Sequence, residues 1–301
     1  MIWIVSDDEN NDYKEPFSKG AIMQALSILD IGEEKAHEIS KKIENQIIEN
    51  SISEISNFEL VGLVIKELED LDGDTAVKFK NWIALRKFEK PIIILIGGSS
   101  GVGTSSMAIE LANRLKLKNI IGTDMIREVM RKMASKELLP TLHKSSFDAY
   151  EGVKNTSMMI DPVIDGFTSQ VEVVNVGVEA IIERSIKEGI STIIEGVHVV
   201  PGFIRKDLLE NNNIIMFTLT VNDEDSHKQR FHARCRKPWV NRSLDSYLGN
   251  FDTIRKTQKF LIVQSKLNDV RIINNVDISK TADKMVDDIL ETFVVHNDIN
   301  G

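Results

Sequence analysis

The sequence predicts an α/β chain in two parts, a small and mainly helical first unit followed by a parallel five-stranded sheet with helices on both faces. Five apolar runs carry the second part: IIILI (92–96), NIIG (119–122), ISTIIEG (190–196), NNIIMFTLT (212–220) and VRIIN (270–274), with helical stretches between them. Continuous apolar strands alternating with helices are the pattern of a parallel sheet covered on both faces. Charge supplies a second observation. Residues 1–90 hold 11 Lys/Arg against 19 Asp/Glu, a net −8, whereas the remaining 211 residues hold 26 against 27, a net −1. Pro91 then punctuates the junction, and no Gly/Ser tract forms a long flexible linker. The boundary is placed at 1–88 and 89–301.

In the first unit, IWIV (2–5) reads as a strand. Apolar residues then recur at helical spacing, as Ile22, Ala25 and Leu29, and again as Ala36, Ile39, Ile43 and Ile47, with a turn at Gly32 between. A third helix is expected over Asn57–Leu71, and a fourth after LDGD through Phe79, Trp82, Ile83 and Phe88. In the second unit, helices are expected from Gly103 to Leu115 and over 161–188.

Composition narrows the function classes. At 301 residues, with 28% charged and 42% hydrophobic residues, the chain can bury one large core or two ordinary ones. No apolar stretch approaches the roughly 20 residues of a membrane span. The start, MIWIVSDDENNDYKEP, lacks a basic segment followed by a long apolar core, so a cytoplasmic protein without membrane partners is expected. The single cysteine, Cys235, excludes an intramolecular disulfide and a CxxC zinc site. The near-neutral second unit offers no broad basic field for duplex nucleic acid. Oligomeric state stays open, homo-oligomers included.

The first apolar strand runs into GGSSGVGTS (97–105) with a helix behind it. A phosphate-binding loop G-x-x-x-x-G-K-[ST] would use Gly98, Gly103 and Ser105, and the loop Gly98, Ser99, Ser100, Gly101, Val102, Gly103, Thr104, Ser105 and Ser106 is the expected nucleotide cradle. Glycines let backbone N–H groups converge on an anion at a helix N-terminus, and Ser105 sits where such loops bind Mg²⁺. The competing reading is a glycine turn that only packs strand against helix. Thr104 occupies the lysine slot, so a cation at the outer phosphates must come from elsewhere. Residues 227–242, HKQRFHARCRKPWVNR, carry Lys228, Arg230, Arg234, Arg236, Lys237 and Arg242 and no acid. Arg230 and Arg234 share a helix face and are candidates for a lid closing over the phosphates, the alternative being a solvated charged face. His227 and His232 are read as surface residues.

Further candidates lie at the expected C-terminal edge of the sheet, where open α/β sheets bind ligands. In TDMIREVMR (123–131), Asp124 could orient or deprotonate an acceptor hydroxyl, and Arg127 and Arg131 could hold its anionic groups. An N-cap with a surface ion pair is the other reading. Glu195 ends the third strand, placed to organise metal or water. His198, and His143, Ser145 and Ser146 in the connector PTLHKSSFDAY (140–150), are candidates for the acceptor pocket, against ordinary structural roles. Gln170 lies on the long helix without an evident role. Asn274, in IINN (272–275), is put forward as an adenine contact, although many strands end in asparagine.

These motifs together resemble the archaeal 2-phosphoglycerate kinases, through IGGSSGVGTSS (96–106), TDMIREVMR (123–131), LPTLHKSS (139–146), GVEAIIERSIKEG (177–189) and IIEGVHVVPG (193–202). The resemblance spans most of 90–275 and implies a P-loop kinase fold. It also implies ATP and Mg²⁺ as cofactors, and transfer of the γ-phosphoryl group to the 3-hydroxyl of 2-phosphoglycerate, giving 2,3-bisphosphoglycerate on the way to cyclic 2,3-diphosphoglycerate. Archaeal members are similar in lacking the loop lysine. The TDxIR stretch is also similar to polynucleotide kinases, which keeps a nucleic-acid 5′-hydroxyl or another phosphorylated small molecule as an alternative acceptor. EPFSKGAIMQALSILDIGEEKAHEISKKIENQI in the first unit resembles an ATP-cone, a regulatory helical module. Where that module has basic residues and glycine before EPF, this chain has ENNDYK, and Lys14 and Lys19 are the remaining cations. An ATP-sensing DNA-binding regulator would need a zinc ribbon or a basic helix pair, which the sequence lacks.

Overall fold

The computed structural model describes residues 2–7, 14–29, 31–86, 88, 90–153, 161–236 and 243–298. They divide into two compact units, Met1–Phe88 with Asp287–Gly301, and Glu89–Val286.

In the first unit β1 (Trp3–Val5) is followed by β2 (Lys14–Pro16), α1 (Lys19–Leu26), α2 (Glu33–Glu49), β3 (Glu54–Ser56), α3 (Asn57–Leu71) and α4 (Gly73–Arg86). β1 lies between β2, antiparallel, and β3, parallel. The strand expected at 2–5 is present, but β2 and β3 were not expected. Three residues are too few to display a period of two, so such strands leave no pattern in the sequence. Gly32 adopts φ +80° and opens α2, whose Ala36, Ile39, Ile43 and Ile47 are buried as the spacing predicts. A capping box fixes the start of α3, with Glu59 N–H donating to Ser56 Oγ at 3.1 Å and Ser56 N–H donating to Glu59 Oε2 at 3.0 Å. Lys14 pairs with Glu54 at 2.6 Å and Lys19 with Glu44 at 2.7 Å.

The second unit contains β4 (Ile93–Gly98), α5 (Thr104–Leu115), β5 (Asn119–Gly122), α6 (Thr123–Met133), α7 (Pro162–Glu188), β6 (Thr192–Gly196), α8 (Lys206–Leu209), β7 (Ile214–Thr220), α9 (Glu224–Cys235), α10 (Leu244–Gly249), α11 (Phe251–Leu267) and β8 (Arg271–Asn274), and the last helix, α12 (Ile278–Asp298), belongs to it up to Val286 and to the first unit from Asp287. The strand order is β5-β6-β4-β7-β8 and every pairing is parallel. The central strand β4 and its neighbour β7 are almost wholly buried, which accounts for their uninterrupted apolar runs. α7 has Asp161 as N-cap, Pro162 at its first position and Gly189 in the left-handed conformation after its last turn. One core joins β4 and β6 to α6 and α7 through Leu95, Ile194, Ile126, Val174 and Val178. A second, aromatic cluster of Phe147, Phe231, Tyr247 and Phe251 anchors α9 to α10 and α11. Among the described residues no helix is long and apolar enough to cross a membrane.

Candidate active site

Sheet register assembles the site. Gly97 pairs with Gly196 and Gly122 with Glu195, so the ends of β4, β5 and β6 lie side by side at the C-terminal edge. From β4 the chain turns through Ser99–Gly103 into α5. Gly101 and Gly103 adopt φ of +88° and +95°, where a side chain is strained. A Cβ would also come within 2.5 Å of the Phe231 ring at Gly101, and within 2.9 Å of Asn275 Nδ2 at Gly103.

The loop is held through its carbonyls. His227 Nε2 donates to Ser100 O at 2.8 Å. Arg230 Nη1 and Asn275 Nδ2 each donate to Val102 O at 2.8 Å, and Arg230 Nη2 donates to the Asn275 and Val276 carbonyls. In a trans peptide the N–H of the following residue points opposite to the C=O. With the Ser100 and Val102 carbonyls drawn towards these side chains, the Gly101 and Gly103 amides face the other way, as an anion cradle requires. The Ser99 hydroxyl is buried without a hydrogen-bond partner, which costs roughly 1–3 kcal/mol and is relieved by a ligand that bonds to it. The cradle and this orphaned hydroxyl fit a phosphate.

His227 corrects the surface expectation. It is fully buried, stacked on Phe231 at 5.3 Å between centroids, because Phe231, one turn on, draws that face of α9 into the aromatic cluster. Burial lowers its pKa, and the Arg255 and Arg230 charges add to the effect. Arg255 Nη1 lies 3.5 Å from Nδ1, so Nδ1 accepts and Nε2 carries the proton given to Ser100. His232 is exposed.

Opposite the loop stands Glu195. Ser105 Oγ donates to its Oε1 at 2.9 Å. The carboxylate is 8% exposed, and burial pushes its pKa up. The Thr104 and Ser105 hydroxyls pull it down, the Asp124 charge pushes it up, and the Arg234 charge pulls it down. Thr104, in the lysine slot, thus lies beside this carboxylate. Arg234 is exposed, its guanidinium 5.7 Å from the Tyr247 ring centroid. Arg236 is exposed too, while Lys237 and Arg242 lie outside the described residues.

Asp124 is exposed at the head of α6, and Arg127 is buried one turn on, with Nη2 3.3 Å from Asp124 Oδ1. Arg127 Nη1 also donates to Lys144 O. Gln170 Nε2 donates to that same carbonyl at 3.1 Å and to Thr141 O at 2.5 Å. Its Oε1 lies 2.9 Å from His198 Nε2, and His198 Nδ1 lies 3.1 Å from Thr123 Oγ1. His198 is fully buried, and burial lowers its pKa to about 4. His143 donates from Nε2 to Ala134 O at 2.9 Å, Arg131 pairs with Glu128 at 2.8 Å, and Ser145 and Ser146 are half-buried. Asn274 is exposed and accepts from Asn222 N–H at 3.0 Å, whereas its neighbour Asn275 grips the loop. The structure thus brings Thr104, Ser105, Asp124, Arg127 and Glu195 to one edge, with Arg230 fastened behind the loop and Arg234 over the Tyr247 ring. Sequence reasoning missed His227 and Asn275 and gave Gln170 no role. Phe231, four residues after His227, was the available signal for the first.

A five-stranded parallel sheet in this order, with a glycine cradle between its central strand and the next helix, defines a P-loop kinase. Relatives narrow the class. The chain is 43% identical over 295 residues to the 2-phosphoglycerate kinase of Methanothermobacter thermautotrophicus, covering 98% of this chain and 96% of the relative. It is 42% identical to that of Methanopyrus kandleri, covering 92% and 85%, and 37% identical to that of Pyrococcus horikoshii, covering 92% and 90%. The chain belongs to the 2-phosphoglycerate kinase family. No family model matches it. Among solved structures, a shikimate kinase from Bacteroides thetaiotaomicron aligns with TM-score 0.39 at 15% identity, over 66% of this chain and 98% of that one.

Proposed function

We propose that the chain transfers the γ-phosphoryl group of ATP to the 3-hydroxyl of 2-phosphoglycerate, giving 2,3-bisphosphoglycerate and ADP. The observation that carries this reading is the meeting of the glycine cradle and Ser105 with Glu195, Asp124 and Arg127 at one sheet edge. The Gly101 and Gly103 amides and the head of α5 bind the phosphates. Ser105 donates a hydrogen bond to Glu195, which leaves its hydroxyl lone pairs free, so Ser105 is the residue that would hold Mg²⁺. An Mg²⁺ ion held there would neutralise charge on the phosphate oxygens. Arg127, held by Lys144 O and Asp124, presents a fixed cation to the acceptor's anionic groups. The acceptor oxygen forms the new bond to phosphorus, the bond to the β-phosphate oxygen breaks with its electrons leaving on ADP, and Asp124 takes the hydroxyl proton. Arg234, whose charge already acts on Glu195, faces the transferring group in place of lysine. The first unit is carried in this proposal as an ATP-cone-like regulatory module.

Purified protein with ATP, Mg²⁺ and 2-phosphoglycerate should form ADP and bisphosphoglycerate in equal amounts. Phosphorylation of a 5′-hydroxyl oligonucleotide with none of 2-phosphoglycerate would overturn the acceptor assignment.

A further inference from the structure

Behind the acceptor side runs a buried chain of neutral groups that touches neither the phosphate loop nor, on the reading above, the substrate. Its members are Thr123, His198 and Gln170, all buried, and it ends on the carbonyls of Thr141 and Lys144. Hydrogen-bond bookkeeping fixes its polarity. The Gln170 amide NH₂ must face the two carbonyls, because only a donor satisfies them. Oε1 is then left to face His198, so Nε2 carries the ring proton and donates it. Nδ1 is bare and accepts from the Thr123 hydroxyl. Every polar atom along the line has one role, and none can be reversed without leaving a buried group unsatisfied.

The two ends are informative. Thr123 is the first residue of α6 and directly precedes Asp124. At the other end, the Lys144 carbonyl accepts from Arg127 as well as from Gln170. Close packing holds the first end in place: Gly196 has φ +136°, and a Cβ there would stand 2.1 Å from Thr123 Oγ1. The chain therefore pins the backbone beneath Asp124 and the carbonyl that aims Arg127.

We propose that Gln170 and His198 are positioning residues that set acceptor affinity by fixing the Thr141–Lys144 turn, and through it the Arg127 guanidinium, relative to the head of α6. The inference rests on the kinase reading and adds to it residues that act through Arg127. It makes Gln170 a functional residue although it contacts no substrate, and it gives His198 a supporting place behind the pocket instead of a place in it. Loss of the Gln170 amide takes one donor from each of two carbonyls, and the Lys144 carbonyl that aims Arg127 loses the side chain that holds it from behind. The turn then relaxes, while the phosphate loop, gripped by His227, Arg230 and Asn275, is untouched.

Steady-state kinetics on Gln170→Leu, His198→Gln and Thr123→Val test this. Gln170→Leu should raise the acceptor KM about tenfold or more, the scale of a buried donor lost to its acceptors, with kcat and the ATP KM within about threefold of wild type. His198→Gln keeps a donor for Gln170 and should recover most of the affinity that His198→Leu loses. Thr123→Val removes only the last bond and should have the smallest effect. An unchanged acceptor KM in Gln170→Leu overturns the proposal. So does a parallel loss of kcat, both KM values and thermal stability in Gln170→Leu and Thr123→Val alike, which is the mark of a merely structural role. A second readout does not depend on turnover. Long-range ¹⁵N–¹H spectra of the wild type should show His198 as the Nε2–H tautomer, and Gln170→Leu should shift its Nε2 resonance; the opposite tautomer overturns the chain's polarity. If the wild type shows that tautomer yet phosphorylates no 2-phosphoglycerate, the functional reading fails and the hydrogen-bond chain stands.

Discussion

The phosphate side and the acceptor side of this site are built on different plans. On the phosphate side one short stretch of chain, residues 97–105, supplies the cradle, and the side chains around it hold its carbonyls from outside. The acceptor side has no such stretch. Thr123, Thr141, Lys144, Gln170 and His198 come from four parts of the chain and meet only through hydrogen bonds. Each side nonetheless uses a buried, neutral histidine as a strut, His227 behind the loop and His198 behind the turn. The shape of the nucleotide cradle is thus locally encoded, whereas the shape of the acceptor pocket is a property of the assembled fold.

Glu195 stands between the two sides, so its substitution has the largest expected effect. Glu195→Gln should lower kcat by about 10²–10³, the range seen when one preorganised electrostatic group is removed. The same change should raise the thermal midpoint of the nucleotide-free protein at pH 7. Burial raises this carboxyl's pKa in the fold, so folding favours its protonated form, and the ionised form costs stability once pH exceeds the unfolded value near 4.3. The gain should vanish when melting is repeated near pH 4. A variant less stable than wild type at pH 7 would show that the carboxylate is a net stabiliser and that the site is not strained.

Arg230→Met tests the phosphate side alone. Its guanidinium meets three carbonyls around the loop, and its loss should raise the ATP KM about tenfold while the acceptor KM moves less than threefold. Arg234→Ala should lower kcat about tenfold with smaller changes in either KM, because its charge acts on Glu195 across the site. An unchanged kcat would remove Arg234 from the chemistry and leave it as a cation over Tyr247.

The smallest effect concerns pH. His198 faces Asp124, whose charge raises its pKa, and Arg127, whose charge lowers it, but burial dominates and holds it near 4. A histidine depressed in the fold binds its proton more readily when unfolded. Its contribution is complete above about pH 6.5 and is lost as pH falls towards 4. Thermal melts over that window should therefore decline more steeply for wild type than for His198→Gln. Parallel declines would mean that His198 titrates normally.

Much of the fold was legible in the sequence for a physical reason. Strands covered on both faces are written as unbroken apolar runs, and α7 carries its own cap, proline and terminal glycine, so its expected range of 161–188 differs from the observed Pro162–Glu188 by one residue. The cradle was legible because backbone geometry demands glycine at fixed spacing. β2 and β3 were not, since three-residue strands depend on partners distant in sequence. His227 was misread because helical spacing shows which residues share a face, not which face turns inward. Gln170 had no role because its partners lie 26 to 29 residues away, and no local pattern records them.

The central claim is that the two sides are separable. Initial rates measured against ATP and against 2-phosphoglycerate, on wild type, Arg230→Met and Gln170→Leu, test it most directly. The expected result is crossed: Arg230→Met shifts only the ATP KM and Gln170→Leu shifts only the acceptor KM. If both variants move both constants by similar factors, the site is one cooperative unit and the division drawn here is wrong.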